Sequence, residues 1–297
     1  MIFNLLKLSI TFFILFVIIG ISVGCTAGLF LLRKHLAENV WNGDKKQILT
    51  VLLMAMAQAA VVFILDLFAK PIIKMLTKFE NHKTRSKFEQ HYVLKMFIFR
   101  FLNNYASIFW IAFGKQHVEG CIDWDNYLQS EANDCMTELK YQLIFLFSIY
   151  IVLNIFEIAI PFCRKCKSET RFLHHVSDVH QYSDEQILKE KVEVELYRSS
   201  YDEGEIDGTV EDYSELMVQF GFVALFSIAF PLIPLLAFVN NIFEMLIDRY
   251  RVMNLTRRSV PARAKGHGIF NIVFGAIAFL AIFTNIGIMA FTGYAFK

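Results

Sequence analysis

Charge is scarce in this sequence and is held apart from its apolar runs. Of the 297 residues, 19% are charged and 56% are hydrophobic, including 31 Phe. A soluble domain of this length would carry more charge, alternating with apolar faces. That class is excluded. Cysteine is also scarce, and five are too few for a disulfide framework. There is no HExxH zinc motif and no clear nucleophile, so no enzymatic activity is expected. The first apolar run lacks a small-residue cleavage site and is too long for a signal-peptide core, so it is kept as a span. No internal repeat or low-complexity tract stands out. The formal net charge is only +1, and no nucleic-acid partner is expected.

What remains is a set of long apolar runs at 8–31, 48–69, 96–114, 141–161 and 268–292, with a longer block at 216–247. Roughly 20 apolar residues cross a bilayer as a helix. The fold class is therefore an all-α polytopic membrane protein with about seven transmembrane helical segments. As one helix, the block 216–247 would be about 48 Å long, far more than the hydrocarbon core. Pro231 and Pro234 in "FPLIP" break it. Irregular backbone at membrane depth survives only inside protein or beside water, so the block reads as a proline-broken helical hairpin.

Orientation follows from the basic residues. Lys70, Lys74, Lys78, Lys83, Arg85, Lys87 and Lys95 crowd a loop at 70–95. Arg164, Lys165, Lys167 and Arg171 fill a second basic stretch, and Arg249, Arg251, Arg257, Arg258, Arg263 and Lys265 a third. All three fall on one side, which is cytoplasmic. The N-terminus is then cytoplasmic and the C-terminus extracellular or lumenal. The polar segment 167–211, with His174, His175 and His180, reads as a cytoplasmic loop rather than a metal cluster. Cys163 and Cys166 form a CxxC without a matching second pair. Cys121 and Cys135 share an acidic outward loop, where they either bridge or remain thiols.

The hairpin begins with Asp212 and Glu215, spaced i, i+3, and ends with Glu244 and Asp248, spaced i, i+4. Each spacing puts two carboxylates on one helix face. The span 141–161 arrives at the same side with Asn154 and Glu157. Five carboxylates and an amide at one depth repel one another and need a counter-charge. Hard oxygen donors in this number suit Ca²⁺, with room for two ions. A second reading stays open, in which these are interfacial helix-end groups facing water or the basic loops.

The stretch "DYSELMVQFGFVALFSIAFPLIPLLAFVNNIFEMLIDRYRV" resembles the seventh and eighth transmembrane helices of the anoctamins, a family of calcium-activated chloride channels and phospholipid scramblases. "RRSVPARAKGHGIFN", "MLTKFENHKTRSKFEQHYVLKMFIFRFLNNYASIFWIAFGK" and "NIFEIAIP" resemble its ninth-helix entry, its fourth-to-fifth connection and the end of its sixth helix. The similarity runs over about residues 10–292, as the third to ninth helices, within a single transmembrane domain spanning 1–297.

The resemblance implies Ca²⁺, as two ions, held by Glu157, Asp212, Glu215, Glu244 and Asp248, with Asn154 as a substitute amide. It implies a groove lined by the third to seventh helices, with Arg100 as a pore-facing basic residue, Arg33 at an outer vestibule and Tyr105 near the constriction. Asp212 replaces the usual glutamate, Leu153 an asparagine ligand, Phe147 a glycine hinge found in some members, and Ser148 a basic residue. The implied function is calcium-activated passage of chloride or other anions, or scrambling of phospholipids, in the plasma membrane or an endomembrane. The alternative is a non-conducting tether or regulatory subunit. A homodimer is implied by the family, although the tenth helix, which supplies much of its interface, has no counterpart here.

Overall fold

The structure is a computed structural model and describes residues 2–39, 44–115, 136, 138–149, 152, 159, 162–163, 199–201, 206, 208–257 and 266–292. These residues are overwhelmingly helical, and three stretches among them are long and apolar enough to cross a membrane: Leu6–Leu32, Arg85–Gly114 and Phe270–Ala290. The chain is an all-α membrane protein.

Three long helices open the chain: α1 (Ile2–Asn39), α2 (Asp44–Phe79) and α3 (Arg85–Phe109). Each packs against the other two. On α1, Thr11, Leu15, Ile19, Ser22 and Thr26 are buried at helical spacing, while Phe13, Phe16, Ile21 and Leu31 are exposed. In water an apolar outer face of this kind would be costly; in a bilayer it is the lipid contact.

The charged stretch at 70–95 is not a loop. Helix α2 continues through Pro71 to Phe79, and α3 begins at Arg85, leaving only a short turn between. Pro71 removes one backbone donor. Beyond it Ile73 and Leu76 remain buried, and the Thr77 hydroxyl donates to the Ile73 carbonyl at 2.9 Å. Most of these charges lie exposed or half-buried on two helix ends and the turn between them, while Lys95 is buried, an arrangement that composition alone does not separate from a loop. Thr84 caps α3, its side chain accepting from the Lys87 amide at 3.4 Å.

Two polar ties join the three helices. The Ser22 hydroxyl donates to Asn103 Oδ1 at 2.7 Å, and Asn103 Nδ2 donates to the Val62 carbonyl at 2.9 Å. At the turn end, Lys95 Nζ donates to the Glu80 carboxylate at 2.8 Å, and the Thr11 hydroxyl donates to the same group. Unsatisfied polar groups are costly in a dry bundle, so these pairings fix the register of the helices as well as holding them.

Helix α3 runs into a π turn, Trp110–Gly114. It packs against a second π turn, Ile288–Thr292, which ends α6 (Phe270–Gly287). Lys115 and Glu138, both buried, form an ion pair at the two ends of the segment that carries Cys121 and Cys135; those cysteines lie outside the described residues. A helical stretch covers 138–149.

The long apolar block is interrupted where its prolines fall. Helix α4 (Gly208–Phe226) ends before a non-helical break at 227–232, and α5 (Ile233–Tyr250) follows. Within the break, the Phe230 amide bonds to the Phe226 carbonyl at 3.2 Å and the Ile233 amide to the Phe230 carbonyl at 3.0 Å. Pro231 occupies the break, and Pro234 sits in the first turn of α5, where a missing donor costs little. Asn285 Nδ2 on α6 donates to the Ala224 carbonyl of α4 at 2.7 Å.

The chain divides into two compact units: Met1–Ile149 with Asp212–Leu235 and Lys265–Lys297, and Tyr150–Glu211 with Leu236–Ala264. In the second unit, β1 (Ser199–Ser200) pairs in parallel with β2 (Thr256–Arg257), directly after the π turn Arg251–Leu255.

Candidate calcium site and permeation residues

Tyr105 lies at the middle of an aromatic seam between α3 and α4. Only 1% of it is exposed, and its hydroxyl donates to the Val218 carbonyl at 2.8 Å. Its ring meets Phe101 and Phe222 edge-on, each with centroids 5.0 Å away. Such edge-to-face pairs add about 0.5–1.5 kcal/mol beyond area burial. The close approach depends on Gly221, since a Cβ there would lie 1.9 Å from the Tyr105 hydroxyl oxygen. Phe147 is buried and packs on Phe222 with centroids 5.8 Å apart. Ser148 is exposed, its hydroxyl donating to the Ile144 carbonyl at 2.7 Å.

Five residues before Tyr105 on α3, Arg100 is buried and reaches Asp66 on α2 through two bonds. Nε to Oδ1 is 2.9 Å and the Nη2 to Oδ2 bond is 3.0 Å. This two-pronged geometry is the strong form of an arginine–carboxylate pair. Lys70 adds a weaker contact to Asp66 at 3.9 Å. The charge of Arg100 is therefore compensated within the bundle. The partner lies 34 residues away, beyond the reach of any local pattern. Arg33 lies on α1.

The acidic residues divide between the two units. Asp212 and Glu215, both half-buried, belong to the first and lie one turn apart on α4. Glu244 and Asp248, also half-buried, belong to the second and lie one turn apart on α5. Glu157, Asn154 and Leu153 lie outside the described residues.

The α5 pair is part of a longer polar ladder. Asn240 is buried and donates from Nδ2 to Glu244 Oε2 at 3.3 Å. Asp248 Oδ1 accepts from Arg251 Nη2 at 3.0 Å. The positions 240, 244 and 248 form one stripe on a helix whose other faces expose Phe238, Ile242, Phe243, Met245 and Leu246. Sequence reading missed Asn240, yet its signal was present as an amide four residues before a carboxylate. A stripe of oxygen donors on an otherwise apolar helix is chemically suited to a hard cation.

Residues 2–296 match the family model of the anoctamins, described as calcium-activated chloride channels. The chain belongs to the anoctamin family. It is 29% identical to anoctamin-3 from Homo sapiens over 300 residues, covering 97% of this chain and 29% of that protein. Human anoctamin-1 is 34% identical over 241 residues, covering 78% of this chain and 24% of that protein. Human anoctamin-5 is 30% identical over 299 residues, covering 97% and 31% respectively. This anoctamin chain thus spans less than a third of the length of the relatives it matches. The matched family is described by its chloride channels, and three described stretches of this chain are long and apolar enough to cross a membrane.

Proposed function

We propose that this anoctamin chain supplies the calcium-binding and permeation elements of an anion channel or phospholipid scramblase. The observation that carries this reading is the Asn240–Glu244–Asp248 stripe on the apolar helix α5. Carboxylates on such a helix are costly without a cation, and oxygen donors at one-turn spacing suit Ca²⁺. Asp212 and Glu215 on α4 supply two further donors, and Glu157 with Asn154 complete the ligand set for two ions. The shorter Asp212 and the apolar Leu153 weaken the site relative to the fuller family pattern.

The permeating species is chloride or another anion, a phospholipid, or both. Arg100 gives the groove positive potential, reduced by Asp66. Tyr105 sets its narrow point, and Arg33 attracts anions at the outer mouth. The basic residues at 70–95 and 249–265 face the cytoplasm, which leaves the C-terminus outside or in a lumen. The active assembly is a homodimer, as the family implies.

The test is chloride efflux and fluorescent-lipid exposure from liposomes containing the purified chain, with Ca²⁺ or with chelator. Calcium-dependent movement of either tracer supports the reading, and the tracer that moves chooses between channel and scramblase. Folded protein that binds Ca²⁺ yet moves neither tracer assigns a tethering or regulatory role. Phe147 favours this second reading, because a ring packed on Phe222 stands where some members have a flexible glycine.

A further inference from the structure

The turn between α2 and α3 gathers three metal-ligating side chains outside the calcium ladder: Glu80, His82 and His91. Their candidate ligand atoms all lie within 4.8 Å of one another. Local structure brings them together. Asn81 adopts a left-handed conformation (φ 54°), its amide bonding to the Lys78 carbonyl at 3.0 Å, so the chain reverses sharply between Glu80 and His82. Asparagine is among the few residues that tolerate this region. Thr84 then starts α3, which carries His91 back over the turn. The two imidazoles stack with centroids 4.3 Å apart and planes inclined by 22°.

The carboxylate is already aimed. Glu80 is buried and bonded by Thr11 on α1 through Oε1 and by Lys95 on α3, whose Nζ lies 2.8 Å from Oε2, the oxygen that also faces the imidazoles. Its Oε2 lies 2.7 Å from His82 Nε2 and 3.8 Å from His91 Nδ1. Donors around a four-coordinate Zn²⁺ at bond lengths near 2.0–2.2 Å sit about 3.3 Å apart. The two observed distances bracket that value, and the candidate ligand atoms lie within 4.8 Å of one another, so closing three ligands on one ion requires the two stacked rings to rotate out of their parallel arrangement. His82 is 14% exposed and His91 35% exposed, which gives an ion a route in and leaves a fourth position for water.

We propose that Glu80, His82 and His91 form a binding site for a borderline transition-metal ion of the Zn²⁺ class, distinct from the calcium ligands and independent of the proposed transport function. Two imidazoles and one carboxylate are the donor types such ions take. Lys95 and Thr11 orient the carboxylate as an outer shell does in metal sites. The Lys95 ammonium offsets the carboxylate charge that a hard cation relies on, so affinity rests on the imidazoles and Ca²⁺ and Mg²⁺ are selected against. Without an ion the same pairing keeps Glu80 satisfied, so the fold does not depend on the metal. Bound metal would pin the end of α2 to α3 across the turn.

The test is titration of the purified full chain in detergent with Co²⁺, in saturating Ca²⁺, followed by the visible bands of four-coordinate Co²⁺ and by Zn²⁺ competition. The expected result is a Co²⁺ site displaced by Zn²⁺ but not by Ca²⁺. His82→Gln and His91→Gln should each weaken it roughly tenfold or more. Both replace partly exposed side chains and spare the Glu80–Lys95 pair, and retained helical circular dichroism verifies their fold. Absence of Co²⁺ binding by folded wild-type protein, or binding equal in wild type and both variants, would overturn the proposal. So would displacement by Ca²⁺.

Discussion

The hydroxyl of Tyr105 occupies the space that a side chain at Gly221 would need, and from there it donates to the Val218 carbonyl. Helices α3 and α4 meet here because one contributes a large ring and the other contributes nothing beyond its backbone. Gly221→Ala is therefore expected to destabilise the protein by about 1–3 kcal/mol through overpacking. Tyr105→Phe loses only the hydrogen bond, about 1 kcal/mol. Thermal unfolding in detergent compares the two, and an alanine variant as stable as wild type would contradict the contact.

Arg100 and Asp66 are expected to behave as a coupled pair. Removing one partner of a buried ion pair costs about 3–5 kcal/mol, because the other charge is stranded. Arg100→Gln and Asp66→Asn should each lower the unfolding midpoint, and the double variant should lose clearly less than their sum. Strict additivity would mean that the two side chains do not interact.

Acid should loosen the turn end of the bundle. Burial alone would raise the Glu80 carboxyl, but hydrogen bonds from Lys95, Thr11 and His82, with the Lys95 charge, outweigh it and leave the group lowered from its ordinary 4.5. A carboxyl lowered in the folded state binds fewer protons there than in the unfolded chain. Its stabilisation is complete above 4.5 and disappears as pH falls through the lowered folded value. With chelator present, Glu80→Gln should reduce neutral-pH stability and flatten this acid limb of the unfolding profile. An unchanged limb would assign acid sensitivity to other groups.

Asn240 is expected to act through Glu244. Its amide bonds the carboxylate at 3.3 Å, the relation by which outer-shell groups orient metal ligands. Asn240→Ala should weaken Ca²⁺ binding by roughly 10-fold with little change in fold. A Ca²⁺ affinity equal to wild type would remove Asn240 from the site.

Much of the fold was legible in hydropathy alone. The span at 8–31 lies within Leu6–Leu32, that at 96–114 within Arg85–Gly114, and the last run largely coincides with Phe270–Ala290. Pro231 and Pro234 located the break between α4 and α5, since a missing donor acts locally. Pro71 gave the opposite result, because tertiary packing of Ile73 and Leu76 carries α2 past it. Charge misled at 70–95, where helix-end lysines resemble a loop in composition. The pairs Arg100–Asp66 and Lys95–Glu80 were hidden for another reason: Arg100 and Asp66 sit on different helices, Glu80 sits in the turn before the helix that carries Lys95, and neither distance in sequence follows a period. The Glu80, His82 and His91 group was hidden too, since a reversal at Asn81 matches no helical or zinc-finger spacing.

Direct Ca²⁺ titration of folded wild-type protein beside Glu244→Gln and Asp248→Asn tests the central claim most closely. The account predicts saturable Ca²⁺ binding that falls sharply in both variants while their helical content is unchanged. Folded wild-type protein that binds no Ca²⁺, or variants that bind it as wild type does, would contradict the calcium site on α5.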